Sequence, residues 1–295
     1  MIVIESVSAR ICVPAKLWRG YARVASALSI ALVLCVPVAS KAELSGVQAA
    51  KGWRYRTAVD KLPEVDDLAI GSDGSVYATQ DLADAKGRVV RLHNGQLETI
   101  VDNLDHPGGV LVKDRYLYVT EQVNEGRLTK INLKNGRRRV FEGLRNPEHI
   151  AVLPDGDIIV SEDVLSGRIT RLSSDGATDV VTSGFSGVDG LAVAPDGTIL
   201  IGESGTGRVR SFKAGVLNVV VDDLETLGQI ECAPDGTIWI TEDSSTGRLL
   251  RLKDGILETV LGGLHNPQGI ALSENGGVFV AERGRGRILI VEPKP

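Results

Sequence analysis

Short apolar runs alternate with turn residues from Lys61 onward, in a pattern that returns about every forty positions. The clearest copy reads GLAVAPDG over 190–197, TILIGE over 198–203, GRVRSF over 207–212 and VLNVVV over 216–221, with Leu224 closing the unit. Four runs of strand length separated by turn chemistry predict four antiparallel strands. The turn after the first strand falls at Gly74, Arg115, Gly156, Gly197, Gly236 and Gly276, with steps of 41, 41, 41, 39 and 40 residues. Four of these are Asp-Gly pairs and one is Asn275-Gly276, the residues a tight turn needs where φ is positive.

Six four-stranded units of this length predict an all-β, six-bladed β-propeller. A ring of sheets must close, because an open first or last blade leaves pairing edges exposed. The sixth copy ends after three strands, at 287–292, while WRYRTAVDKL over 53–62 stands ahead of the first copy as a strand without a unit. The expected closure puts that N-terminal strand on the outside of blade six. The domain then spans 53–295, with 43–52 as a linker.

The first 42 residues have a different pattern. Arg10, Lys16, Arg19 and Arg23 precede an uncharged stretch from Val24 to Ser40, and Ser40-Lys41-Ala42 offers small residues at cleavage spacing. This predicts a cleavable signal peptide and a periplasmic or secreted protein. Pro37 and a length of 17 residues argue against a membrane span. Cleavage removes Cys12 and Cys35 and leaves Cys232, so no internal disulfide is expected. It also removes five basic groups and one acid, taking the net charge from −5 to −9. Such a balance speaks against nucleic acid or an anionic membrane as partner and is compatible with a cation. A monomer is expected.

Six copies allow an internal comparison. Gln80, Glu121, Glu162, Glu203, Glu242 and Glu282 end the second strand of each unit, and a Gly-Arg pair opens the third at 87–88, 126–127, 167–168, 207–208, 247–248 and 286–287. A carboxylate and a guanidinium repeated in this way read as a structural ion pair. The start of the innermost strand is variable instead: Asp66-Asp67, Gly108-Gly109, Glu148-His149, Asp189-Gly190, Gly228-Gln229 and Gln268-Gly269.

Innermost strands line the axial channel, so Asp66, Glu148 and Asp189 should converge at its mouth, with Gln268 adding an amide oxygen. Such a set suits calcium, while solvated acids without a metal are the alternative. Zinc is disfavoured, since no second His shares the register of His149. His149 reads either as an acid or base or as a plug. Glu231 replaces an Ala found at this position in four other blades and, with Gln229, is a candidate to complete the site. His106 and His265, in blade crossings near the same mouth, are candidate substrate contacts, as is Gln229.

The repeated Gly-Ile/Leu-Ala-Val-x-Pro-Asp-Gly, followed by a strand and Glu, resembles the six-bladed gluconolactonase and senescence-marker-protein family. It is more loosely similar to NHL repeats and streptogramin lyases. The resemblance implies a divalent cation, commonly calcium, at the channel mouth, and a nearby Asp as general base. By register Asp66, Glu148 and Asp189 resemble the ligands, and the segment at 188–191 resembles the one bearing the catalytic Asp. The Pro-Asn-Gly signature is absent, replaced by Pro147-Glu148-His149 and Pro267-Gln268-Gly269, and Gly228 stands where the family places a base in blade five.

The function expected from these residues is a metal-dependent hydrolase of a lactone or related ester. Its proton acceptor is Asp189, His149 or Glu231. The alternatives are a non-catalytic propeller that binds a peptide or sugar, and a lyase using His149.

Overall fold

The computed structural model describes residues 46–173 and 176–295; the expected signal peptide lies outside them. The chain forms six antiparallel sheets whose strands run in sequence order from the axis outward, apart from the outermost strands of blades five and six. Blade one contains Val65–Ile70, Val76–Gln80, Gly87–His93 and Gln96–Leu104. The innermost strands of the next five are Pro107–Lys113, Pro147–Val152, Gly190–Val193, Leu227–Cys232 and Pro267–Leu272.

Closure follows the expected route. Trp53–Val59 pairs antiparallel with Arg287–Pro293 and forms the outer strand of blade six. The expected linker at 43–52 adds something further: Gln48–Ala49 pairs with Ile256–Leu264 as a fifth strand on blade five. Six clusters of buried side chains occupy the six spaces between successive blades. The cluster of Leu62, Val65, Leu68, Ala271 and Ile288 joins blade six back to blade one, so the apolar core is itself a closed ring.

Turn chemistry behaves as the sequence indicates, with Gly74, Gly156, Gly197, Gly236 and Gly276 all at positive φ. Blade two lacks the glycine because its hairpin is shorter: Lys113 pairs with Tyr116, and Asp114 takes the positive φ. The glycine of each Gly-Arg pair has a steric reason. A Cβ on Gly126 would lie 2.1 Å from Pro147 Cδ, inside the crossing to the next blade.

The acidic ring is a set of buried latches. Glu162 is fully buried and accepts two hydrogen bonds from Arg168 (2.9 and 2.8 Å), one from the Arg145 N–H (2.7 Å), and one from the Thr170 hydroxyl. Glu121, Glu242 and Glu282 repeat the scheme with Arg127, Arg248 and Arg287, each also holding a backbone N–H of the incoming crossing. In blade four the expected Arg208 is replaced by Arg210, whose Nε donates to Glu203 at 2.7 Å.

Candidate functional site at the channel mouth

One residue into the innermost strand, the blades alternate Asp67, Gly109, His149, Gly190, Gln229, Gly269. The alternation is an inter-blade clasp. Asp67 accepts the Val110 N–H of blade two at 2.8 Å, the His149 ring hydrogen-bonds the Asp189 backbone of blade four, and Gln229 Oε1 accepts the Ile270 N–H of blade six. The glycines permit the close approach: a Cβ on Gly109 would lie 2.4 Å from the Glu148 carbonyl oxygen, and one on Gly269 would lie 2.5 Å from that of Asp66. The backbone N–H of Asp67, His149 and Gln229 is anchored in turn by Thr79, Ser161 and Thr241 (2.9 Å each).

This layer lies just beneath the mouth acids. His149 is buried, its pKa is pushed down to about 4 by desolvation, and among the described residues its Nδ1 has no hydrogen-bond partner. Of its two readings, the geometry matches the plug rather than the acid or base. Gln229 is likewise buried and committed to Ile270, which removes it from the expected substrate contacts. Glu231 sits two residues further along its strand, facing a narrow part of the channel of about 150 Å³ lined by Leu68, Val110, Ile150 and Leu191. Burial raises its pKa to about 7, but the plug separates it from the mouth acids.

Above the plug, the expected acids share one electrostatic environment. Asp66 is raised to about 7, chiefly by desolvation, with Arg283 lowering it and Asp81, Asp243 and Asp189 adding to the rise. Glu148 is raised well above its ordinary value by burial first, then by Asp66, Asp189 and Asp163. Asp189 is raised to about 6 by desolvation and by Asp163, against a stabilising hydrogen bond from Ser204. Thr120 and Thr241 fix the strand starts by donating to the Glu148 and Gln268 carbonyls (2.7 and 2.8 Å).

The column after the acidic ring supplies what the sequence reading missed: Asp81, Gln122, Asp163, Ser204, Asp243 and Arg283. Every member differs in charge or length from the scaffold residue beside it, and the column varies from blade to blade, which was the available signal. Arg283 opens a 3-10 turn, Arg283–Arg285, and reaches back across the ring closure to blade one. Its Nε meets Glu64 at 3.0 Å, Nη1 meets Asp66 at 3.3 Å and Nη2 meets Asp81 at 2.8 Å. Asp81 also holds the His106 ring at 2.8 Å, so His106 does belong to the mouth. Gln268 Nε2 donates to Asp243 at 2.6 Å, and Gln122 hydrogen-bonds Glu148. His265 stacks over Gly284, where a Cβ would lie 2.0 Å from its Nδ1.

The calcium expected from the resemblance does not fit this arrangement as it stands. Asp66 has the Arg283 guanidinium as its counter-cation, and Gln268 is engaged with Asp243. Among the described residues no three His, Cys, Asp or Glu side chains form a group able to hold a metal ion. The mouth is therefore an array of carboxyls with elevated pKa values gathered around one fixed guanidinium. Chemically it offers two carboxyls shifted upward by burial, Asp189 and Glu148, as candidates for proton transfer, and a positive charge in Arg283.

No family model matches this chain, and no curated protein matches it. Solved structures do. A gluconolactonase from Xanthomonas campestris superposes with a TM-score of 0.68 at 16% identity, over 84% of this chain and 91% of that one. A PQQ-bound aldose sugar dehydrogenase from Streptomyces coelicolor gives 0.68 at 16% identity, over 84% and 100%. Virginiamycin B lyase from Staphylococcus aureus gives 0.59 at 20% identity, over 78% and 80%. Three different chemistries on similar scaffolds make the likeness one of architecture: this chain has the propeller fold of these enzymes, in a six-bladed, all-β form closed by its own N-terminal strand.

Proposed function

We propose that the channel mouth hydrolyses a lactone or related ester by acid–base catalysis. The observation that carries this reading is the upward shift of adjacent carboxyls: Asp189 rises to about 6, and Glu148 is raised well above its ordinary range by burial and by the charges of Asp66, Asp189 and Asp163. Neighbouring acids raised in this way can divide the labour of proton transfer.

In the proposed reaction Asp189 takes the proton of the attacking water, and Glu148 gives one to the departing alkoxide. Arg283, held by three acids, faces the developing negative charge. His149 fixes the Asp189 backbone from below and positions that residue, and Asp81 with His106 steadies the guanidinium. No step runs through a metal. The gluconolactonase likeness supports the substrate class at a coarse level only.

The test is a panel of five- and six-membered sugar lactones, with turnover followed by acid release in chelator and in calcium. Turnover in chelator that falls at least a hundredfold in Glu148→Gln supports the proposal. Turnover that appears only with calcium removes the acid–base scheme. A second reading, a sugar- or peptide-binding mouth without turnover, draws on the same network, since Arg283 is already fully committed to Glu64, Asp66 and Asp81. Saturable binding of a lactone with no product would favour it.

Export is proposed on the N-terminal sequence. Mass measurement of the chain recovered outside the cytoplasm should place its first residue at Glu43, and an intact N-terminus there would overturn the cleavage.

A further inference from the structure

A concavity of about 700 Å³ lies away from the mouth, on the outer part of blade two. It is lined by Arg115, Lys130, Lys134, Arg137, Arg138 and Arg139, around Tyr116. In a chain of net charge −5, this is a concentrated reversal of sign.

The other blades show how unusual the patch is. In three of them a cation on the third strand faces an acid on the fourth, Arg91 opposite Glu98 in blade one, Arg171 opposite Asp179 in blade three and Arg251 opposite Glu258 in blade five, while blade four has Ser211 opposite Asn218 and blade six Ile290 opposite Arg56. Blade two sets Lys130 opposite Arg139. Like charges directly across an antiparallel pair destabilise a sheet, so scaffold economy does not account for the exchange.

Arg115, Lys130, Lys134, Arg137 and Arg138 enter no ion pair among the described residues. At other hairpins of the outer rim a lysine is neutralised, as in Lys213 with Asp196 and Lys253 with Asp235. Two of the patch cations instead lean on one ring: Lys130 Nζ stands 4.2 Å from the Tyr116 ring centre and the Arg115 guanidinium 5.4 Å from it. Arg115 also donates to the Tyr116 hydroxyl at 3.4 Å, and this contact lowers the pKa of the phenol.

We infer that this cup on blade two is a binding site for a soluble ligand carrying two or more phosphate groups. Guanidinium forks match phosphate oxygens bidentately, and a phosphate group concentrates more charge on one centre than a carboxylate does. The cations line a shallow, open concavity of about 700 Å³, a volume that suits a compact polyanion. The inference is independent of the chemistry at the mouth.

The experiment uses the full chain and inorganic tripolyphosphate as probe, with binding measured by calorimetry at low and moderate salt. Saturable binding of one tripolyphosphate per chain is expected, weakened by salt. Lys130→Gln/Arg137→Gln/Arg138→Gln should weaken it at least tenfold. Lys51→Gln/Arg56→Gln/Lys294→Gln, an equal loss of exposed charge elsewhere, should leave it unchanged. The blade-two variant without ligand should melt no lower than the wild type, since it relieves repulsion. Equal weakening by both variants, or equally tight binding of citrate, overturns the proposal. So does binding to phosphatidylglycerol vesicles without binding to tripolyphosphate.

Discussion

Replacing Asp66 by Asn should make the protein more stable above neutral pH, and the size of the gain follows from the mouth electrostatics. Asp66 is 7% exposed, and its pKa rises from 3.8 to about 7 on folding, with the favourable Arg283 contribution already included. Because the folded pKa lies above the unfolded one, its contribution to stability is full below about pH 4. It is lost progressively as the pH climbs through about 7. At roughly 1.4 kcal/mol per pKa unit, the ionised side chain costs up to about 4 kcal/mol at pH 8.

Asn keeps the shape and leaves Arg283 paired with Glu64 and Asp81. The Asp66–Arg283 contact at 3.3 Å is partly exposed, so its loss is worth about 1 kcal/mol or less and does not reverse the sign. A net gain of about 1–3 kcal/mol at pH 8 corresponds to a melting temperature higher by roughly 3–10 °C for a domain of this size. Urea or thermal unfolding at pH 4, 6 and 8 measures it. The difference should shrink toward zero at pH 4. A variant that is less stable than wild type at pH 8, or a gain that does not depend on pH, refutes the reasoning.

Glu231→Ala, which restores the residue of four other blades, should stabilise the protein above pH 7 and leave lactone turnover unchanged, because the plug separates it from the mouth; a large loss of rate would return Glu231 to the site. Glu162→Ala should cost about 3–5 kcal/mol in urea unfolding, since it strands Arg168, Thr170 and the Arg145 N–H around a vacated buried charge. Gly126→Ala should destabilise by more than about 1 kcal/mol, because the new methyl meets the Pro147 ring at 2.1 Å; wild-type stability would mean that the crossing yields easily. His149→Gln should lower turnover while leaving the pH dependence in place if His149 acts through the Asp189 backbone, whereas a lost ionisation would mark it as a proton carrier.

The forty-residue period made the architecture legible, because it reflects strand and turn chemistry local to each blade. Closure was legible for a related reason: a sixth unit lacking its outer strand has one partner available, and Trp53–Val59 takes that place. The fifth strand at Gln48–Ala49 was not, since two residues carry no periodicity.

The Glu-Arg ring could be read from spacing, yet Arg208 was a misassignment. In blade four Arg208 and Arg210 point to the same face, as alternate residues of a strand must, and the second one reaches Glu203. The meaning of Asp67, His149 and Gln229 was hidden, although their alternation with glycine was in plain view. It depends on which backbone N–H or carbonyl of the adjacent blade lies within reach. Arg283 was hidden most deeply, because the acids it meets lie more than two hundred positions earlier in the chain and only ring closure brings them together.

The most direct measurement is the pH–rate profile of lactone hydrolysis for the wild type and Asp189→Asn, in chelator. If the mouth acids carry the proton transfers, wild-type kcat rises with the ionisation of a group near pH 6, and the variant loses at least a hundredfold in kcat with little change in KM. A variant that turns over at the wild-type rate with the same pH profile would contradict the account.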